Sequence, residues 1–380
     1  MYNTPLFSFT GSPLAALRST ILGGLIIFTV LFLGALPAMA QQQISDSSFV
    51  KIQRVYRQRQ LNIQYSECYK SFADVTWMTL PYTEVGGPRY YLLTGMLQPY
   101  FMVLAAKWSP VAIAIEPRVG VRIMTGTSSP VRTPSFNPGM TMYYRLWNDT
   151  THLFYLSASL FHHSNGQDGP TLDPKDSTEP RKMNTYNGSF ATNYWAAGLN
   201  YSQTITRRKL SYNMNGRVEV EHHIFGIDEG LKGRFGNVRL NLKFTAIALG
   251  KNTERIKIGR RLRAILREDD LVEMFRLTFG ATFILDKFTG PESNMLYRRM
   301  NVEIKAMYRI PGSPNVSVLL AGGYYGQDPY NIYLQDHYGY FRVGLATGFF
   351  IYRLFPERIK VPKNKKELRL EGEFKGVERK

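Results

Sequence analysis

One cysteine, Cys68, is all that the 380 residues contain. That excludes a disulfide framework and a cysteine metal site, and the chain after its leader does not begin on a lipidated cysteine. Acidic residues are scarce as well: 29 Asp and Glu face 47 Lys and Arg, for a formal charge of +18. Such a balance raises nucleic acid as a partner. The basic residues, however, sit at alternate positions of extended segments, in Lys251 to Arg267 and in the tail after Phe355, with no aromatic stacking platform among them. The charge reads as a solvated or anionic-lipid-facing surface, with no nucleic-acid partner. Also missing is any Pro/Gly/Ser-rich linker. About 340 residues follow the leader without a visible domain cut, and one barrel accommodates a chain of that size.

The leader is residues 1–40. Arg18 precedes the apolar run Ile21 to Leu36, and Ala38-Met39-Ala40 places small residues at a cleavage point before Gln41, the pattern of a secretory signal peptide. A retained transmembrane anchor is the alternative, and the run is barely long enough for one. Residues 41–87 have weak patterning and read as a periplasmic leader with at most one strand.

From there the period is two. Segments recur at 90–96, 100–108, 111–123, 140–147, 152–164, 193–204, 210–225, 238–249, 274–285, 302–310, 316–325 and 341–355, twelve in all. In the cleanest, Val238, Leu240, Leu242, Phe244, Ala246 and Ala248 share one face, while Arg239, Asn241, Lys243 and Thr245 share the other. A soluble sandwich would alternate in the same way. The export signal and segment lengths near that of a tilted membrane-spanning strand favour a twelve-stranded antiparallel transmembrane β-barrel over residues 88–355. Its charged face points into a narrow lumen. Long polar loops follow the odd-numbered segments, whereas Pro311-Gly312-Ser313-Pro314 is a tight turn at the opposite end, so the long-loop end faces outward from the cell. Residues 356–380 read as a solvated basic tail.

One segment ends strangely. In His152 to Gly166, the face carrying Phe154, Leu156, Ala158 and Leu160 finishes in His162 and Ser164. A strand sets that imidazole and hydroxyl side by side at the long-loop rim of a lipid-facing wall, where a nucleophile and its base make sense if the substrate is lipid. Asn193 opens the next segment with the same parity, and an antiparallel hairpin brings it beside His162, where an amide oxygen can fix the ring tautomer. His-x-Ser alone is weak, and a polar strand end running into a loop has the same composition.

These residues resemble the outer membrane phospholipases A. That family carries a His-x-Ser-Asn-Gly strand end, which stands here as His162-His163-Ser164-Asn165-Gly166, and a Ser-Ser-Pro-x-Arg loop, similar to Ser128-Ser129-Pro130-Val131-Arg132, followed by Asn137-Pro138. Val218-Glu219-Val220 leading to Gly226, and Arg342-Val343-Gly344 through Leu354-Phe355, are similar to family strands. The resemblance covers roughly residues 90–355. It implies His162 as base, Ser164 as nucleophile and an asparagine as third member, Asn193 or Asn187, since a loop longer than the family's leaves both open. It also implies calcium shared across a homodimer and hydrolysis of phospholipid in the outer leaflet of a Gram-negative outer membrane. By position, Ser128 is the ligand given by the partner subunit, Gln167 a carbonyl ligand, and Asp168, Asp228 or Glu229 the acidic ones. A lipid A deacylase, with an acidic third member, and a non-catalytic barrel are the competing readings.

Overall fold

The computed structural model describes residues 72–348, apart from 106–108, 127–130, 132, 148–151, 179–180, 207–209, 252–270, 288–294, 312 and 314, together with 351–352. The leader, Cys68, Ser128, the basic 252–270 connection and the tail lie outside the described residues.

Strand β1 is Thr76–Val85. β2 runs as Tyr91–Leu97 and Phe101–Ala105, β3 as Val111–Glu116 and Val119–Met124, and β4 as Ser135–Phe136 and Gly139–Arg145. Each of these three interruptions holds a proline, Pro99, Pro117 or Pro138, whose missing N–H leaves the ladder one donor short. The rest are β5 (His152–Ser164), β6 (Ala191–Thr206), β7 (Leu210–Phe225), β8 (Val238–Lys251), β9 (Leu271–Ile284), β10 (Met300–Arg309), β11 (Val316–Tyr325) and β12 (Tyr338–Thr347). Every strand pairs antiparallel with its sequence neighbours, and β1 pairs with β12, Thr76 facing Thr347. The result is a closed barrel of twelve strands with no free edge.

The count of twelve agrees with the sequence, but the membership does not. The segments at 90–96 and 100–108 are two halves of β2, and the missing strand, β1, lies inside residues 41–87. The barrel therefore begins before residue 88. Pro81 and a positive φ of 61° at Tyr82 break the alternation of β1, and its register shifts between Thr79 and Glu84. The last strand is likewise displaced from 341–355. It starts at Tyr338 and stops at Thr347, because Gly348 turns the chain with φ +103°; residues 353–355 lie outside the described residues.

The wall is greasy outside and charged inside. Leu156, Leu199, Val218, Phe244, Ile304, Leu320 and Phe341 are all exposed. Only lipid makes so continuous an apolar outer surface favourable, and a closed barrel leaves no backbone group unpaired in it. Among the described residues no helix is long and apolar enough to cross a membrane. We expect Phe244→Arg, mid-strand on β8, to cost about 2–4 kcal/mol in urea titrations of the barrel refolded in vesicles. An unchanged midpoint would contradict a lipid-facing wall.

Inside, the charges pair. Arg276 grips Glu273 with two bonds of 2.5 and 2.9 Å, Lys305 reaches Glu303 at 2.6 Å, and Arg342 reaches Glu84 at 3.2 Å. A buried ion is tolerated only with such a partner. Apolar clusters lie toward both ends of the lumen. At the short-turn end Phe72 packs against Tyr143 and Tyr155 of β4 and β5. On the far wall Lys243 donates to the Phe72 carbonyl (3.2 Å) and Asp74 (2.7 Å), and Arg276 to the Ala73 carbonyl (3.0 Å). Residues 72–74 thus bridge the lumen as a strap. At the other end, Met183, Phe190, Leu231, Phe235, Ile332 and Leu334 from three loops form one apolar cluster over the mouth.

Candidate active site

The site lies at the long-loop end of β5 and β6. Alternation sends Leu160, His162 and Ser164 outward and Phe161, His163 and Asn165 inward, and the burial pattern follows it, with His162 exposed and His163 and Asn165 buried. Asn165 ties the two ends of the long loop together. It donates to the Gly188 carbonyl at 2.8 Å and accepts from the Phe190 and Gln167 backbone at 3.0 and 3.2 Å. Gly166 then turns the chain with φ +65°, a conformation glycine adopts without strain. The strand end is pinned from the inside while its two chemical groups face lipid.

His162 and Asn193 are register partners across the β5–β6 ladder, and their side chains meet at 2.8 Å, Nδ1 to Oδ1. The amide orientation is fixed independently, because Asn193 Nδ2 donates to the Phe225 carbonyl at 3.2 Å. The oxygen therefore faces the ring, so Nδ1 carries the proton and Nε2 is left as a base. Ser164 is two residues further along the same face, a Cα spacing of about 6.6 Å in a strand. Its hydroxyl makes no hydrogen bond among the described residues. Imidazole, amide and an uncommitted hydroxyl are thus gathered on one lipid-facing rim. Asn187 is elsewhere: it lies in the long loop, exchanging hydrogen bonds with Asn184.

Two features at the end of β7 place Asn193, and their part in doing so is not legible in the sequence. The ladder between β6 and β7 shifts between His223 and Phe225, and this bulge aims the Phe225 carbonyl at Asn193. Gly226 follows with φ +63°, and a Cβ there would sit 2.4 Å from Asn193 Nδ2. Gly226→Ala should therefore displace the amide as well as strain the backbone by about 1–2 kcal/mol. In the hydrolase proposed below, turnover should then fall about tenfold with the barrel intact, as read by acyl release alongside the heat-modifiable electrophoretic band. Wild-type turnover would mean that Asn193 does not need that space.

No family model matches the chain, and no curated protein matches it. Solved structures do. The chain is similar to outer membrane phospholipase A from Escherichia coli (10% identity, TM-score 0.42), covering 72% of this chain and 90% of that one. It is similar to the Salmonella typhi outer membrane phospholipase dimer with bound calcium (11% identity, TM-score 0.44, 72% and 90% covered). It is also similar to LpxR from Salmonella typhimurium (11% identity, TM-score 0.37, 70% and 90% covered). The likeness is one of barrel architecture, and the barrel stands on its own strand pairing.

The residues given to a metal are dispersed. Asp228 is the nearest to the rim: its N–H donates to the Ala191 carbonyl at 3.1 Å, Ala191 is the register partner of Ser164, and its carboxylate accepts from Ser189 at 2.8 Å. Gln167 offers a carbonyl at the base of the long loop. Asp168 and Glu229 are exposed loop residues. Among the described residues no three acidic, imidazole or thiol side chains gather as a metal site. Calcium takes six to eight oxygens, so the described rim of one copy does not fit it unaided. The long loop carries its own turn at Asp176, which accepts from the Thr178 hydroxyl, the Thr178 N–H and the Lys182 N–H. The Thr178 hydroxyl first, then those backbone donors, hold its carboxyl down to about 2. A depressed carboxyl stabilises the fold above its ordinary range and loses that contribution only as pH falls toward 2, so this turn stays formed through neutral pH.

Proposed function

We propose that this protein hydrolyses acyl esters of phospholipids in a Gram-negative outer membrane. Ser164 is the nucleophile, His162 the base and Asn193 the group that orients the base. The observation that carries this reading is the 2.8 Å His162–Asn193 bond on the outward face, in register beside an uncommitted serine. A polar constellation on a lipid-exposed wall is costly unless its partner is itself a polar group delivered by lipid. An ester carbonyl at the membrane interface is such a group.

The chemistry follows from the tautomer. Nε2 takes the Ser164 proton as Oγ attacks the ester carbonyl, the Asn193 oxygen steadies the imidazolium through Nδ1–H, and the ring then returns the proton to the leaving alcohol. Water repeats the sequence on the acyl-enzyme. A neutral amide stabilises the imidazolium less than a carboxylate does, which distinguishes this arrangement from a deacylase with an acidic third member. The strap crossing the lumen and the loop cluster at the other end favour an enzyme over an open channel.

Calcium belongs to this proposal only together with a second copy. Asp228 and the Gln167 carbonyl would hold it from this copy, and Ser128 is the residue the resemblance assigns as the ligand given by a partner subunit. Such an ion would supply positive charge at the rim, beside the position proposed for the ester carbonyl. The deciding experiment is acyl release from phospholipid micelles by purified protein, titrated with calcium and with chelator, beside chemical cross-linking. Activity and cross-linked dimer should rise together. Full activity of a dilute monomer in chelator would remove calcium and the dimer, while no acyl release under any condition would remove the hydrolase.

A further inference from the structure

Directly behind the site, on the lumen face, three side chains form a row. His223 Nε2–H donates to Glu221 at 2.7 Å, and the Thr192 hydroxyl donates to His223 Nδ1 at 2.9 Å. The second Glu221 oxygen accepts from Asn241 at 2.9 Å, and Arg239 stands 3.6 Å from the carboxylate. Glu221 is thereby held in place and fixes His223 as the tautomer whose Nδ1 accepts. Hydroxyl, imidazole and carboxylate in this order are the connectivity of an activated nucleophile. Here the hydroxyl cannot act as one. Thr192 is completely buried, and the His223 ring is lodged between Tyr194 and Phe235, with centroids 4.6 and 4.8 Å away, so no lipid reaches either.

Their place in the strands gives their use. Thr192 is the residue before Asn193. Its register partner His163 stands between His162 and Ser164, and is itself tied to Ser135 of β4 at 2.8 Å. Each outward site residue is therefore flanked by an inward residue with a fixed partner. The β6–β7 ladder shifts register beside this row, so backbone pairing alone defines the end of β6 least where Asn193 must be most exact in position.

We propose that the row Thr192–His223–Glu221 is a positioning device, which clamps the end of β6 to β7 across the bulge and thereby sets Asn193 at bonding distance from His162. The proposal rests on the ester-hydrolase reading above. Thr192 and His223 are positioning residues that act through Asn193 and touch no substrate.

The test uses the full-length protein on phospholipid micelles, with the heat-modifiable band as the check of folding. Thr192→Val should lower kcat about tenfold with KM unchanged, and Thr192→Ser, which restores the hydroxyl, should return it to within about threefold. Thr245→Val removes a hydroxyl as deeply buried but far from the rim, and should stay within about twofold of wild type. In an Asn193→Ala background Thr192→Val should add nothing, since the group it positions is gone. Should Thr192→Val not reach the barrel form, His223→Gln is read by the same criteria. Wild-type kcat in the folded variant, or a full additional loss on top of Asn193→Ala, would overturn the positioning role while leaving the hydrolase standing. A wild-type protein without acyl release would overturn both.

Discussion

Ser164→Ala is expected to abolish acyl release while leaving the heat-modifiable barrel band unchanged. The side chain is on the outward face, makes no hydrogen bond among the described residues and contributes no packing to the lumen clusters, so removing one oxygen has little structural effect. Loss of the attacking atom is another matter. Where serine, imidazole and an orienting group act as a unit, deleting the nucleophile alone costs on the order of a millionfold in turnover. A serine-directed fluorophosphonate should label the wild type at Ser164 and leave the variant unlabelled. Turnover near wild type in Ser164→Ala would end the catalytic assignment, since no other hydroxyl shares that face of β5 with His162 at its end.

The second large effect is expected at Asn193. Alanine there removes the oxygen that accepts from His162 Nδ1 and releases the ring to rotate or to place its proton on the wrong nitrogen. Because the acceptor is a neutral amide and not a carboxylate, its loss should slow turnover by roughly ten- to a thousandfold without erasing it, at nearly unchanged KM. Asn187→Ala should matter far less, because that amide is engaged with Asn184 inside the loop. A reversed ranking of the two variants would place the orienting group in the loop. If neither mattered, Ser164 and His162 would be working as a dyad.

Parity puts Asn193 on the same face as His162, as the structure has it, while the long loop leaves Asn187 open as a second candidate in the sequence. A loop of 26 residues separates β5 from β6, too long for its length to set the register, yet a wall buried in lipid on one side tolerates no slip of one residue. Apolar residues at 154, 156, 160, 195 and 199 fix which face is outward, and the two polar residues fall on it together. β1 was not readable, since Pro81 and the left-handed Tyr82 interrupt the period on which such a reading depends. The row behind the site was hidden for the opposite reason. Thr192, Glu221 and His223 obey the alternation perfectly, and an inward polar residue in a barrel of this kind has nothing in the sequence to separate it from dozens of lumen neighbours. The Phe225 carbonyl is a backbone group and leaves no mark in the sequence at all.

The strap at Phe72 to Asp74 bears on how the barrel can be assembled. It is continuous with β1, and β1 meets β12 in the seam that joins the first and last strands of the barrel, where Thr83 donates to the carbonyl of Val343, 260 residues away in sequence. Among the described strand pairs this seam spans the longest stretch of chain, so its closure carries the largest loop entropy of them. The strap, held by Lys243 and Arg276 on β8 and β9 and packed on Tyr143 and Tyr155 of β4 and β5, fastens the start of β1 to four strands that are not its ladder neighbours. Lys243 and Arg276 thereby hold one side of the closing seam from across the lumen, so that the seam is secured by lumen side chains as well as by its own ladder.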